Sequence, residues 1–153
     1  MLVISAFQTI NSLSESPKLT NRIEVPIRFH EVDAMNIVWH GHYYKYFELG
    51  REALANEYGL NYLNVYEQGF MTPIVKSSCE YKKSLTYGDV AVIETTWIFN
   101  AAAKIIFHYT IYRKSDNRIC ASGETIQVFT DTKGKLQLIA PPFFEEWKNK
   151  LFE

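Results

Sequence analysis

Two side chains suited to acid–base or nucleophilic work, Asp33 and His40, stand seven positions apart in the stretch Asp33-Ala34-Met35-Asn36-Ile37-Val38-Trp39-His40. Upstream, Ile23, Val25, Ile27 and Phe29 alternate with Arg22, Glu24, Pro26 and Arg28, the period-2 pattern of a strand. Downstream, residues 43–58 carry a helical period. The acid therefore falls in a short irregular turn and the His at a helix entrance. An ionised carboxylate placed there can attack a carbonyl carbon or take a proton from water. The first turn of the helix offers backbone amides without intrahelical partners, at the positive end of the helix dipole. Such amides stabilise negative charge as it develops. No Gly-x-Ser-x-Gly elbow occurs and neither cysteine lies near a helix start, which leaves Asp33 as the best-placed reacting group. On spacing alone, however, the commoner job of an Asp before a helix is turn residue or cap.

The elements that must hold this stretch are legible from periodicity. Within residues 43–58, Tyr43, Tyr46, Phe47, Leu49, Gly50, Ala53, Leu54 and Tyr58 cover about half the helix circumference. Lys45, Glu48, Glu52 and Asn56 lie opposite, with Arg51 on a flank and Gly59 placed to end the helix. So wide an apolar arc suits a helix that a sheet wraps around. A short second helix is expected over 61–68, stopped by Gly69. Strands follow over 71–83, 90–99, 103–112 and 119–130, separated by turns at 85–89, 114–117 and 131–135. The first of these strands places Met71, Pro73, Val75, Cys79 and Tyr81 on one face, and the third places Ala103, Ile105, Phe107, Tyr109 and Ile111 together. A last helix is expected over 143–151, after Pro141-Pro142. One helix followed by meandering strands describes an α+β domain with an antiparallel sheet.

Composition narrows the function classes. The chain has 153 residues, 47% of them hydrophobic, which is enough for one domain with a core of its own. A formal charge of −1 gives no basic footprint for nucleic acid. No apolar run approaches the roughly 18 residues of a membrane span. Residues 1–10 are mildly apolar but lack the basic start of a secretory signal, and 11–17 are Ser-rich. Residues 1–20 are accordingly expected to form a poorly ordered leader, and 21–153 the domain. Cys79 and Cys120 fall in strand-like runs and are expected to be core thiols in a reducing, cytoplasmic setting.

Arg28-Phe29-His30-Glu31-Val32-Asp33-Ala34, followed by Val38-Trp39-His40 and Tyr43, resembles the signature of the 4-hydroxybenzoyl-CoA thioesterase family of hotdog-fold proteins. The run from Tyr46 to Leu54 is similar to the central helix of its acyl-CoA thioesterase branch. Matching segments continue through 81–89, 121–125 and 131–141, so that the resemblance spans about residues 22–150. It implies a hotdog fold, a curved antiparallel sheet wrapped around a long central helix, and hydrolysis of an acyl-CoA thioester. Asp33 would be nucleophile or general base. The backbone amide at His40 would polarise the thioester carbonyl while the imidazole orients substrate or water. Asn36, Val38, Trp39, Tyr43 and Glu48 would line the substrate site. Lys82, Lys83 and Lys104 are available to coenzyme A phosphates, although most lysines are merely solvated. The resemblance further implies a homodimer or homotetramer with active sites at subunit interfaces. Coenzyme A enters only as part of the substrate, with an acyl carrier protein as an alternative carrier, and no separate cofactor is implied.

One departure stands out. The family usually carries Gly three residues after the Asp, where this chain has Asn36, the residue type next most tolerant of a left-handed backbone. Other readings compete at individual positions. Glu48 and Arg51, three apart, fit an ordinary surface ion pair, and Trp39 and Tyr43 fit core or dimer contacts. His30, Glu31, Asp33, His40 and His42 cluster in sequence, but at a helix start His40 and His42 diverge, so no metal site is expected. Two rivals to hydrolysis remain open. A hotdog dehydratase would pair His40 with Glu48, and a silent acyl-thioester-binding protein would follow if Asn36 disabled turnover.

Overall fold

The structure, a computed structural model, describes residues 18–153. Five strands form one antiparallel sheet in the order β1-β4-β5-β6-β3: β1 (Lys18–Pro26), β3 (Ile74–Tyr81), β4 (Val90–Ile98), β5 (Lys104–Arg113) and β6 (Arg118–Val128). Helix α1 (His42–Tyr58) packs on β1, β4 and β5. A short helix α2 (Tyr62–Glu67), a two-stranded ribbon of β2 (Phe70–Met71) with β7 (Thr130–Asp131), and a final helix α3 (Pro142–Lys150) complete it. This is the hotdog architecture implied by the family resemblance.

The leader expected over 1–20 lies outside the described residues up to 17. Lys18, Leu19 and Thr20 pair with Ile98, Trp97 and Thr96, so the first strand begins before the boundary expected at 21. The strand expected over 71–83 divides into β2 and β3. Pro73, which has no N–H for a ladder, stands between them and offers only its carbonyl, to Val128 N–H at 3.2 Å. The next two strands match the expected spans to within about a residue, and the last, expected over 119–130, ends at Val128, with Thr130 passing into β7.

The helix begins and ends as its composition dictates. Gly59 terminates it with φ 77, a left-handed cap whose N–H reaches the Ala55 carbonyl. Asn61 then caps α2 by accepting from Asn64 N–H at 3.0 Å. Tyr43, Tyr46, Phe47, Gly50 and Leu54 are buried, while Lys45, Glu48, Glu52 and Asn56 are exposed. The arc read from sequence thus faces the sheet, where Ile105, Phe107, Tyr109 and Ile111 of β5 meet it. Phe47 stacks on Tyr109 with ring centroids 4.4 Å apart. Trp147 of α3 donates its indole N–H to the Tyr58 carbonyl at 2.6 Å, docking the last helix on the far end of α1. Cys120 is buried and Cys79 half-buried, and both are free thiols.

Gly123 of β6 is where helix and sheet come closest. A Cβ there would overlap the Phe47 ring and stand 2.6 Å from the Ser78 carbonyl of β3. Neither neighbour is the free end of a flexible chain, so the helix would have to lift. Gly123→Ala is expected to destabilise the domain by roughly 1–3 kcal/mol, measured by urea denaturation.

Candidate active site

Between β1 and α1 the chain makes one compact turn. A single 3₁₀ turn (Phe29–Glu31) is closed by the buried Glu31, whose carboxylate accepts from Arg28 N–H at 2.8 Å. Val32 and Val38 then bridge antiparallel, and Asp33 N–H donates to the Ile37 carbonyl at 2.8 Å. Asn36 N–H donates to the Asp33 carbonyl at 2.9 Å, and Asn36 itself has φ 60. The position that is Gly in the resembling family is therefore left-handed here, and Asn supplies the conformation. Asp33 Oδ1 accepts from Met35 N–H at 2.8 Å, an Asx turn. Its other carboxylate oxygen has no protein donor among the described residues. The turn-residue role and a chemical role at Asp33 are thus compatible, each using a different oxygen.

The turn is fixed to the domain on both sides. Val38 N–H donates to the Leu85 carbonyl at 2.8 Å, and Trp39 N–H to the Glu31 carbonyl at 2.9 Å. The next two carbonyls are occupied from within: Trp39 O accepts from His42 N–H at 2.9 Å, and His40 O from the Tyr81 hydroxyl at 2.9 Å and Tyr43 N–H at 3.4 Å. Among the described residues the N–H groups of His40 and Gly41 have no acceptor, and no side chain caps α1.

Six of the residues picked from sequence meet in one cleft of about 210 Å³: Asp33, Val38, His40, Tyr43, Lys82 and Lys83, joined by Met35, Ile37, Tyr81 and Ser84. Tyr43 forms its buried wall, and burial, aided by the Cys120 thiol, pushes its phenol up to about 12. The two lysines stand on the rim. Among the described residues, no group of three or more His, Cys, Asp or Glu side chains is disposed to hold a metal ion.

The other picks lie elsewhere. Asn36 is at the exposed tip of the turn and shapes it without lining the cleft. Trp39 is 48% exposed, so its expected place in the core is not met within this chain. Its indole folds across Gly41, where a Cβ would overlap it, and rests near the His40 and His42 rings. Lys104 begins β5 opposite Val128, while Tyr81 pairs with Ala121 seven residues away along β6, which puts the lysine ~23 Å along the sheet from the cleft. Glu48 lines a different and larger cavity of about 590 Å³, shared with Arg51, Glu52, Ile105, Phe107 and Gln127. The ion pair expected between Glu48 and Arg51 does not form. Arg51 instead donates to the buried Tyr109 hydroxyl at 3.3 Å, and that hydroxyl lies 2.7 Å from Thr125 Oγ1. A buried phenol needs partners, and the flank position of Arg51 lets it reach one.

Tyr81 is the site residue that sequence reasoning did not single out. Its alternation with Cys79 already placed the two on one face of their strand.

A long helix packed on an antiparallel sheet, with a turn carboxylate and His40 at the head of that helix sharing one cleft, fits the hotdog class of fold. The chain belongs to the thioesterase-like superfamily, whose family model matches residues 27–148, and with that it is a thioester hydrolase. Among relatives, YneP of Bacillus subtilis (strain 168), a protein provisionally named an acyl-CoA thioesterase, is 33% identical over 114 residues. That match covers 68% of this chain and 81% of YneP. Among solved structures, DHNA-CoA thioesterase from Staphylococcus aureus superposes with a TM-score of 0.77 at 22% identity, covering 87% of this chain and 91% of that one. A mutant 4-hydroxybenzoyl-CoA thioesterase complexed with 4-hydroxybenzoyl-CoA gives 0.73 at 22% identity, covering 84% and 98%.

The left-handed turn at position 36 admits a direct check. A β-branched residue pays the full steric cost of φ 60, so Asn36→Val is expected to lower stability by ~1–2 kcal/mol. Asn36→Gly, which suits that backbone, should stay within about 1 kcal/mol of wild type in the same urea titration.

Proposed function

We propose that this enzyme hydrolyses an acyl-CoA thioester to the free acid and coenzyme A, with Asp33 as nucleophile or general base. One observation carries the reading: an Asp33 oxygen without a protein donor shares a cleft with His40, whose backbone amide is open. In the nucleophilic route the carboxylate attacks the thioester carbonyl, the C–S bond breaks to release the thiolate of coenzyme A, and water hydrolyses the resulting mixed anhydride. In the general-base route Asp33 takes a proton from water as that water attacks the same carbon. Both routes put negative charge on the carbonyl oxygen, and the amides at the head of α1 receive it. The His40 imidazole, exposed at the mouth, orients substrate or water. Lys82 and Lys83 are placed on the rim to meet phosphate oxygens of coenzyme A. The name given to YneP supports acyl-CoA as the carrier.

The dehydratase rival needs His40 and Glu48 at one reacting centre, yet they line separate cavities. The silent-binder rival, in which Asn36 disables turnover, predicts acyl-CoA binding with no thiol released. The active unit in this reading is a homodimer or a dimer of dimers. Strand β3 is a sheet edge with exposed Ile74 and Val75, a template on which a second copy can pair.

A thiol-release screen over short, long, branched and aromatic acyl-CoAs is expected to give turnover with at least one class. On the best substrate Asp33→Asn should lower kcat by about 10²–10⁴-fold. Wild-type turnover in that variant would sink the mechanism. An enoyl thioester with no free thiol would sink the reaction.

A further inference from the structure

The larger cavity, of about 590 Å³, has a chemistry that the reaction in the cleft leaves unused. Its inner wall is apolar, with Leu60, Ile105 and Phe107 buried. Half-buried Arg51 reaches in from α1 and uses one N–H on the Tyr109 hydroxyl, at 3.3 Å. Among the described residues its other guanidinium N–H groups have no acceptor, and no carboxylate pairs with it. Glu48 and Glu52 also line the cavity, but both are exposed to water that screens them. The inner wall is therefore short of one negative charge, and a guanidinium fork matches a carboxylate bidentately.

The cavity and the cleft lie at opposite ends of β3. Ile74 lines the first and Tyr81 the second. Both point to the helix side of the sheet, since their partners on β6, Gln127 and Ala121, are buried there. Helix α1 packs on β1, β4 and β5 and leaves β3 bare, so that every residue of β3 except Cys79 is exposed. When a second copy pairs antiparallel on this edge, a two-fold axis perpendicular to the sheet keeps both helices on one side. It also exchanges the strand ends. With the axis between Ser77 and Ser78, Ile74 of one copy falls opposite Tyr81 of the other, and opposed residues in such a pair stand about 5 Å apart. Each cleft is thereby extended by the cavity of the other copy.

We propose that the acyl group runs from the cleft of one copy into the cavity of its partner, where the partner's Arg51 reads a carboxylate at the far end of the chain. The favoured substrates are then ω-carboxyacyl-CoAs, the thioesters of dicarboxylic acids. The inference rests on the hydrolysis and the β3-paired dimer given under Proposed function. A far carboxylate supplies the missing counter-charge, whereas a hydrocarbon end covers the guanidinium and leaves its donors unsatisfied. The reacting carbon stays in the cleft, a chain length away from the partner's Glu48.

The test uses succinyl- to suberyl-CoA, each compared with a neutral acyl-CoA of the same shape that ends in –CH(CH₃)₂ in place of –COO⁻. At the best length, wild type is expected to prefer the carboxylate at least about tenfold in kcat/KM. Arg51→Met should bring the two substrates to within about twofold of each other. Arg51→Lys, which keeps the charge without the fork, should retain part of the preference. Thr125 still partners the Tyr109 hydroxyl in both variants, and a purely structural role for Arg51 would lower both substrates alike. Heterodimers of one Asp33→Asn chain with one Arg51→Met chain, isolated through two different tags, then locate the action of Arg51. Acting across the interface, it leaves one of the two sites whole, so about half the wild-type rate on the carboxylate substrate returns. Absence of a carboxylate preference in wild type, an equal loss on both substrates in Arg51→Met, or no recovery in the heterodimer each overturns the inference. A monomer in solution overturns the dimer and this inference with it. Wild-type turnover by the Asp33→Asn homodimer overturns the chemistry of the cleft alone, while the carboxylate preference and its loss in Arg51→Met still decide the role of Arg51.

Discussion

Where α1 begins decides everything in the cleft, and that is settled by how closely the helix can lie on the sheet. Phe47 passes over Gly123 with no room for a methyl group, and it stacks on Tyr109, the cross-strand partner of Gly123. This seam fixes the helix in height and rotation. Its N-terminal amides then emerge in one direction, and the turn from Val32 to Val38 must meet them. Burial of a wide apolar arc, the least directional of forces, thereby sets a geometry that hydrogen bonds refine. The docking of Trp147 on the Tyr58 carbonyl holds the opposite end of the same helix.

The turn shows how backbone hydrogen bonding can be arranged to leave particular groups over. Glu31, Leu85 and His42 together occupy the donors and acceptors around Val38 and Trp39. Protein donors also take the carbonyls of Trp39 and His40, while the two following N–H groups stay open. Unpaired backbone donors in a folded domain normally call for an explanation. A ligand oxygen at the cleft provides one.

Most of the fold was legible because its signals are periodic. The half-circumference arc of residues 43–58, the glycine at 59 and the alternation over 103–112 each express one physical rule, and the structure follows them. Asp33, His40, Tyr43, Lys82 and Lys83 were found from residue type, spacing and family resemblance, and they share a cleft. What failed to show was whatever depends on distant parts of the chain. Pro73 broke a strand that alternation alone would have continued. Arg51 turned from Glu48 to a phenol 58 positions away in sequence, a partner no local rule could supply. Trp39, read as a core or dimer contact, is not in the core of this chain and folds over a neighbouring glycine. Tyr81 went unmarked because a tyrosine on a strand is ordinary until its hydroxyl is seen to end on the His40 carbonyl.

Asp33 uses its two carboxylate oxygens differently, one folding the turn and the other left free. An ancestor could not have lost this acid to most other residues without also losing the shape of the loop. Asparagine is the exception, since its side-chain oxygen can still accept from the Met35 amide. On the mechanism proposed for Asp33, a single nucleotide change at that codon would give a descendant that folds and keeps its cleft without turnover. The route from catalyst to mere binder is short in such a lineage, and an Asn at position 33 in a related chain would mark where it had been taken.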